Sequence, residues 1–119
     1  KLKKNKIRVS LFIEPSLNDI LESKSLNVDC IEIHTGKFCN LVNKKKNFKK
    51  ELNRISRAVD LGNNLGLEVH AGHGLTFESA RILSNIRGIK EFNIGHYLIG
   101  ESIFDGLGKT IRKFRNIMK

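Results

Sequence analysis

An α/β fold built on a parallel sheet is predicted by the order of the apolar segments. Four short runs rich in β-branched or aromatic residues alternate with helical patterns, and each run ends at a turn or polar group. Strands that alternate with helices pair in parallel through right-handed crossovers. That leaves a small doubly wound sheet or part of a (β/α)8 barrel. Two observations bear on the choice. The first strand–helix junction reads Ile13-Glu14-Pro15-Ser16, with no glycine-rich fingerprint, and no Walker motif occurs anywhere. Polar groups instead collect at the C-terminal ends of the strands, where barrel enzymes carry their chemistry. A complete barrel takes about 250 residues, so these 119 are expected to form one partial domain, 1–119, of half-barrel length.

The elements follow in order. Ile7–Ile13 is the first predicted strand; Pro15 then marks a helix start, with Leu17, Ile20 and Leu21 as its apolar stripe. Val28–His34 is the second strand, and Phe48, Leu52, Ile55 and Val59 recur at helical spacing after it, with Gly62 or Gly66 as the stop. Leu67–Ala71 is the third. Thr76 is a suitable N-cap for the next helix, with Glu78 in its first turn and Ala80, Leu83 and Ile86 facing inward. Glu91–Gly95 is the fourth strand, followed by a short helical turn near Leu98–Ile103. A last helix carries Leu107, Ile111, Phe114 and Met118 on one face.

Composition narrows the setting. Lysine and arginine number 22 against 12 acidic residues, a formal charge of +10, which suits anionic partners or a lysine-rich surface. The densest run, Asn43–Lys50, lacks interleaved exposed aromatics and any nucleic-acid motif, so it reads as a solvated loop entering a helix. Nucleic acid is not an expected partner. No segment has transmembrane length and the opening is not a secretory signal, so a cytoplasmic protein without membrane contact is expected. The only methionine is Met118, and a processed product or a piece of a longer chain is expected. Cys30 and Cys39 form neither a redox pair nor a zinc-spaced cluster, and Cys30 alternates like a buried strand residue.

The chemistry-bearing residues are Glu32, His34 and Thr35; His70 and His73; and Asn93 and His96. His70 and His73 stand three apart on an extended segment and so point to opposite sides unless the turn rotates His73. No cysteine or carboxylate stands at ligand spacing beside them, so a metal site is not expected. Gly72-His73-Gly74 and Gly95-His96, with Gly100 beyond, offer backbone that can approach a phosphate closely, or else are simple turn glycines. Glu32 and His34 share one face of their strand. A carboxylate there is either catalytic or satisfied by a hydrogen bond, and an imidazole at His73 suits proton transfer near neutral pH.

Together, "RVSLFIEP", "IEIHTG", "AGHGLT" and "FNIGHYLIG", in this order and spacing, resemble the pyridoxine 5'-phosphate synthase family. The resemblance covers essentially the whole chain and implies the C-terminal half of a (β/α)8 TIM barrel, strands five to eight. It implies a ring-closing transferase of vitamin B6 biosynthesis. That enzyme condenses 1-deoxy-D-xylulose 5-phosphate with 3-amino-2-oxopropyl phosphate to give pyridoxine 5'-phosphate, phosphate and water, without a cofactor. By motif, Glu32 becomes the transition-state stabiliser and His73 the proton donor. Gly74, Gly95 and His96 hold the aminoketone phosphate; His70, His34 and Thr35 receive no catalytic role. The family also implies a homo-oligomer, an octamer at full length, and inactivity of four βα units by themselves. The competing readings are a different phosphate-binding barrel enzyme or a non-catalytic basic half-barrel that serves as a binding module. A Schiff-base aldolase is disfavoured, since no strand end offers a lysine.

Overall fold

A computed structural model describes residues 2–118. It contains a four-stranded parallel sheet whose spatial order follows the chain, β1-β2-β3-β4. The strands are β1 (Ser10–Ile13), β2 (Cys30–His34), β3 (Glu68–Gly72) and β4 (Ile89–Asn93). The helices are α1 (Leu17–Ser25), α2 (Gly36–Asn43), α3 (Lys49–Asn64), α4 (Phe77–Leu83), α5 (His96–Asp105) and α6 (Leu107–Ile117). The predicted α/β class and its alternation of elements therefore stand.

Local chemistry explains most boundaries. Ser16, in extended backbone, accepts from the Asp19 N–H and caps α1 just after Pro15. The Gly66 stop holds: Gly66 has φ +75°, and the Leu67 and Gly66 amides bond the Gly62 and Asn63 carbonyls at 3.0 and 2.9 Å. This is a Schellman ending. Gly62 lies inside α3 instead, where it packs close on β3: a Cβ there would come within 2.7 Å of Val69 Cγ2. Thr76 and Ser79 form a reciprocal capping box at α4.

The core lies between the helices and one face of the sheet. Ile31, Ile33 and Val69 pack there with Ile20, Phe38, Ile55, Val59 and Leu83, all fully buried. The alternate residues Ser10, Phe12, Glu32, His70 and Asn93 lie on the other face. The two strand edges, β1 and β4, have no partner among the described residues.

Four expectations need correction. The first strand starts at Ser10 rather than Ile7; Val9 instead donates to the Asp29 carboxylate at 2.9 Å. β4 runs two residues earlier than predicted, because Gly88 (φ +100°) turns the chain directly into it and Lys90 is bulged out between the Val69–Ile89 and His70–Glu91 pairs. The segment after β2 holds two helices, since Phe38, Cys39 and Val42 bury one face of α2. Finally, Leu17, Leu21, Leu107 and Ile111 stay partly exposed. In α6 only Thr110 and Phe114 are buried, with Phe114 packed on Phe77 and Tyr97.

Asp29 ties the segment before β1 to the start of β2. Its carboxyl is held below the ordinary 3.8 first by the Val9 N–H and then by Lys3 Nζ, which lies 2.9 Å away. A depressed folded value means this tether is complete above pH 3.8 and lost as pH falls through the folded value. The Val9 amide proton is expected to move upfield below that pH while the core amides stay in place. An NMR pH titration checks this.

Candidate functional site

At the C-terminal ends of the strands lies an open cavity of about 560 Å³. Glu32 of β2, His73 and Gly74 after β3, and Gly95 and His96 after β4 all line it, together with Phe12, Thr76, Asn93 and Tyr97. Segments far apart in sequence thus bring all five predicted site residues to one place. The volume lies within the range of small-molecule sites.

Glu32 and His73 are placed by identifiable contacts. The Glu32 carboxylate accepts from Asn93 Nδ2 at 2.8 Å, linking β2 to β4 across β3. It can lie over β3 because position 72 is glycine. A Cβ there would collide with Glu32 Oε1 and come within 3.1 Å of Asn93 Cβ. Gly72 therefore shapes the carboxylate's seat and does not line the cavity.

His73 owes its position to its backbone. It has φ +77° and Gly74 has φ +81°, so the chain turns left-handed at two successive residues. For a non-glycine residue this conformation costs about 1–2 kcal/mol, and the neighbouring structure must hold it. Thr35, fully buried, supplies the hold. Its N–H donates to the Gly72 carbonyl at 2.9 Å, and its hydroxyl lies 2.8 Å from that carbonyl and 2.9 Å from the carbonyl of His73. This rotation sends His73 into the cavity while His70 stays on the strand.

His70 lies apart from that cavity. Its Nε2 is 2.8 Å from Glu68 Oε1, which also meets Arg8 at 2.6 Å, and its Nδ1 is 3.8 Å from Glu91. Arg8 and then His70 hold the Glu68 carboxyl below its usual value by hydrogen bonding. His70 is thus engaged by the Glu68 and Glu91 carboxylates, outside the cavity. Gly100 falls in α5 and does not reach the cavity.

His34, left without a role above, is close by. Its ring centroid is 4.6 Å from that of His73, and Phe12 meets it edge-on at 5.2 Å. Its Nδ1 lies 2.6 Å from Glu14 Oε1, and this hydrogen bond is the main cause holding the Glu14 carboxyl below its ordinary range. Phe12 and Glu14 were missed, although the two-residue alternation from Ser10 already puts Phe12 on the polar face. Burial raises the thiol of Cys39 and, with Glu101, the phenol of Tyr97. Cys39 is therefore a packed thiol beneath Gly74, not a nucleophile.

The site has the parts for proton transfer beside an anion. None of its lining residues is Lys or Arg, so an anion would be held by backbone N–H groups, His96 and the start of α5, whose N-cap is Gly95. Among the described residues, no three His, Cys, Asp or Glu side chains gather as metal ligands. No helix there is long and apolar enough to cross a membrane.

Gly72→Ala probes the arrangement. The alanine methyl must push the Glu32 carboxylate away, which costs stability only about 1 kcal/mol because the carboxylate end can swing aside. The Asn93 side-chain amide resonances are expected to move while thermal unfolding changes little; unchanged Asn93 signals would contradict this geometry.

Comparison with known proteins adds a separate line. Residues 1–119 match the family described as pyridoxal phosphate biosynthesis protein PdxJ. The chain is 53% identical over 114 residues to a pyridoxine 5'-phosphate synthase of Pelagibacter ubique, covering 96% of this chain and 48% of that protein. It is 49% identical over 112 residues to the enzyme of that name from Zymomonas mobilis, covering 94% and 43%. To that of Syntrophotalea carbinolica it is 42% identical over 117 residues, covering 98% and 48%. The chain spans about half the length of the curated relatives it matches.

Proposed function

The chain belongs to the PdxJ family, and from that premise we propose that it is the C-terminal half, strands five to eight, of a pyridoxine 5'-phosphate synthase barrel. The reaction is the condensation of 1-deoxy-D-xylulose 5-phosphate with 3-amino-2-oxopropyl phosphate, giving pyridoxine 5'-phosphate, phosphate and water. One observation carries the proposal: Glu32, His73, Gly74, Gly95 and His96 converge on a single cavity at the C-terminal ends of parallel strands.

The roles follow from chemistry. A condensation that expels phosphate and water must protonate its leaving oxygens, and an exposed imidazole is suited to this near neutral pH. His73 is the proton donor. As the amine attacks a carbonyl, positive charge develops on its nitrogen, and a carboxylate already fixed by Asn93 stabilises it without reorganising. That is the part of Glu32. Gly74, Gly95 and His96 receive the aminoketone phosphate; nothing stands within 4 Å of where a Cβ on Gly95 would lie, so the backbone there is open to it. The proposal extends to a homo-oligomeric, cytoplasmic enzyme once a whole barrel is present. Four βα units alone are not expected to complete the reaction, since half the wall of such a site would be solvent.

Binding can be tested on this chain directly. Titration with inorganic phosphate and with pyridoxine 5'-phosphate is expected to shift the amide signals of Gly74, Gly95 and His96. Shifts confined to the separate groove on α2 and α3 that is lined by Lys37, Arg54 and Arg57 would sink the proposal. Turnover is tested by joining the chain to the four βα units of a relative. Formation of pyridoxine 5'-phosphate is expected from the joined protein and not from the 119 residues alone.

A further inference from the structure

Behind His73 stands a chain of ion-paired side chains that the proposed reaction does not use. Glu51, whose side chain is only 7% exposed, binds Arg54 Nη1 at 2.8 Å and Lys37 Nζ at 3.2 Å. Arg54 Nη2 then reaches Glu14 Oε2 at 3.4 Å, and Glu14 Oε1 lies 2.6 Å from His34 Nδ1. A carboxylate can only accept, so the proton of that short bond sits on Nδ1. The His34 and His73 ring centroids are 4.6 Å apart, with the planes inclined at 59°. A Cβ on Gly36 would lie 2.9 Å from His34 Nε2 and 2.8 Å from His73 Cδ2. Both imidazoles therefore rest on the bare Cα of Gly36, at the first position of α2, with Phe12 closing the far side.

We infer that Glu14 and His34 are positioning residues for His73. Glu14, anchored through Arg54 to α3, fixes the rotation of His34; His34 and the glycine at position 36 then fix the plane of the His73 ring. The inference rests on His73 being the proton donor. An exposed imidazole on a left-handed turn has few restraints of its own, and a donor held in one orientation delivers its proton far more effectively. Other ionisable groups around His73 are Glu32 from β2, Cys39 from α2, and His96 and Tyr97 from α5. In the chain behind His73, Glu14 is the first carboxylate met after His34.

The experiment follows the imidazole resonances of the 119-residue chain by NMR in Glu14→Gln, Glu14→Asp and His34→Ala. In Glu14→Gln the carboxylate that holds His34 Nδ1 is gone, so the His34 ring is freed and its ring-current shift on the His73 protons is expected to shrink. Glu14→Asp keeps a carboxylate acceptor and should restore part of that shift. In His34→Ala the ring-current shift on the His73 protons should disappear. His73 proton shifts that superimpose on the parent's in Glu14→Gln and His34→Ala, each still folded, would overturn the inference. In the joined protein, Glu14→Gln should lower kcat about tenfold with KM little changed; an unaltered kcat also overturns it. Failure of the underlying reading is distinct: there, a protein lacking the His73 imidazole would keep its turnover whatever Glu14 does.

Discussion

His73→Asn is expected to slow pyridoxine 5'-phosphate formation by about 10²–10⁴-fold in the joined protein, the usual worth of a positioned proton donor. Asparagine is the informative replacement because it tolerates the left-handed conformation that position 73 requires, φ +77°. The turn gripped by Thr35 should therefore survive, and the phosphate-dependent shifts at Gly74, Gly95 and His96 should persist. Loss of rate with retained binding assigns the imidazole to chemistry. If the rate instead stays within a fewfold of the parent, His73 is not the donor. Loss of both rate and binding would show that the turn had collapsed, and the amide spectrum would report it. Steady-state kinetics and the NMR titration together separate these outcomes.

Phe38→Ala is expected to destabilise the chain by about 3–5 kcal/mol. Phe38 is fully buried and meets Phe48 edge-on at 5.6 Å, joining α2 to the segment that leads into α3. Domains of this kind are stable by only about 5–15 kcal/mol, so the variant should be largely unfolded at temperatures where the parent is folded. Urea unfolding followed by circular dichroism checks it; a loss under about 1 kcal/mol would mean that α2 is not an integral part of the core. The consequence reaches the site. α2 carries Gly36 beneath both imidazoles and follows directly on Thr35, so loosening it should broaden the His73 resonances even before global unfolding.

Much of the fold is legible because its cues are local. Thr76 caps α4 and Gly66 ends α3 through bonds that span three to five residues, and β-branched runs announce strands. The first helix after β2, α2, escaped notice because its cap signal is spent elsewhere. Its cap residue, Thr35, makes no side-chain capping bond and spends its hydroxyl on the end of β3 and the turn beyond, 37 and 38 residues away. A helix signal was thus diverted to a tertiary task. Leu107 and Ile111 illustrate the converse error: their spacing is helical, yet spacing alone cannot say what covers a face.

The sequence by itself determined the α/β class, the alternation of strands with helices, the family resemblance and five of the residues that meet in the cavity. Each of these depends on neighbours within a few positions, or on motifs in register. Only the tertiary structure decided which atoms touch. The Glu32–Asn93 bond joins residues 61 apart, and Glu14 reaches His34 across 20. The seat of Glu32 over Gly72, the shared platform at Gly36 and the bulge at Lys90 likewise arise from strand register. Such contacts arise from packing between distant segments, a free energy that no local pattern encodes.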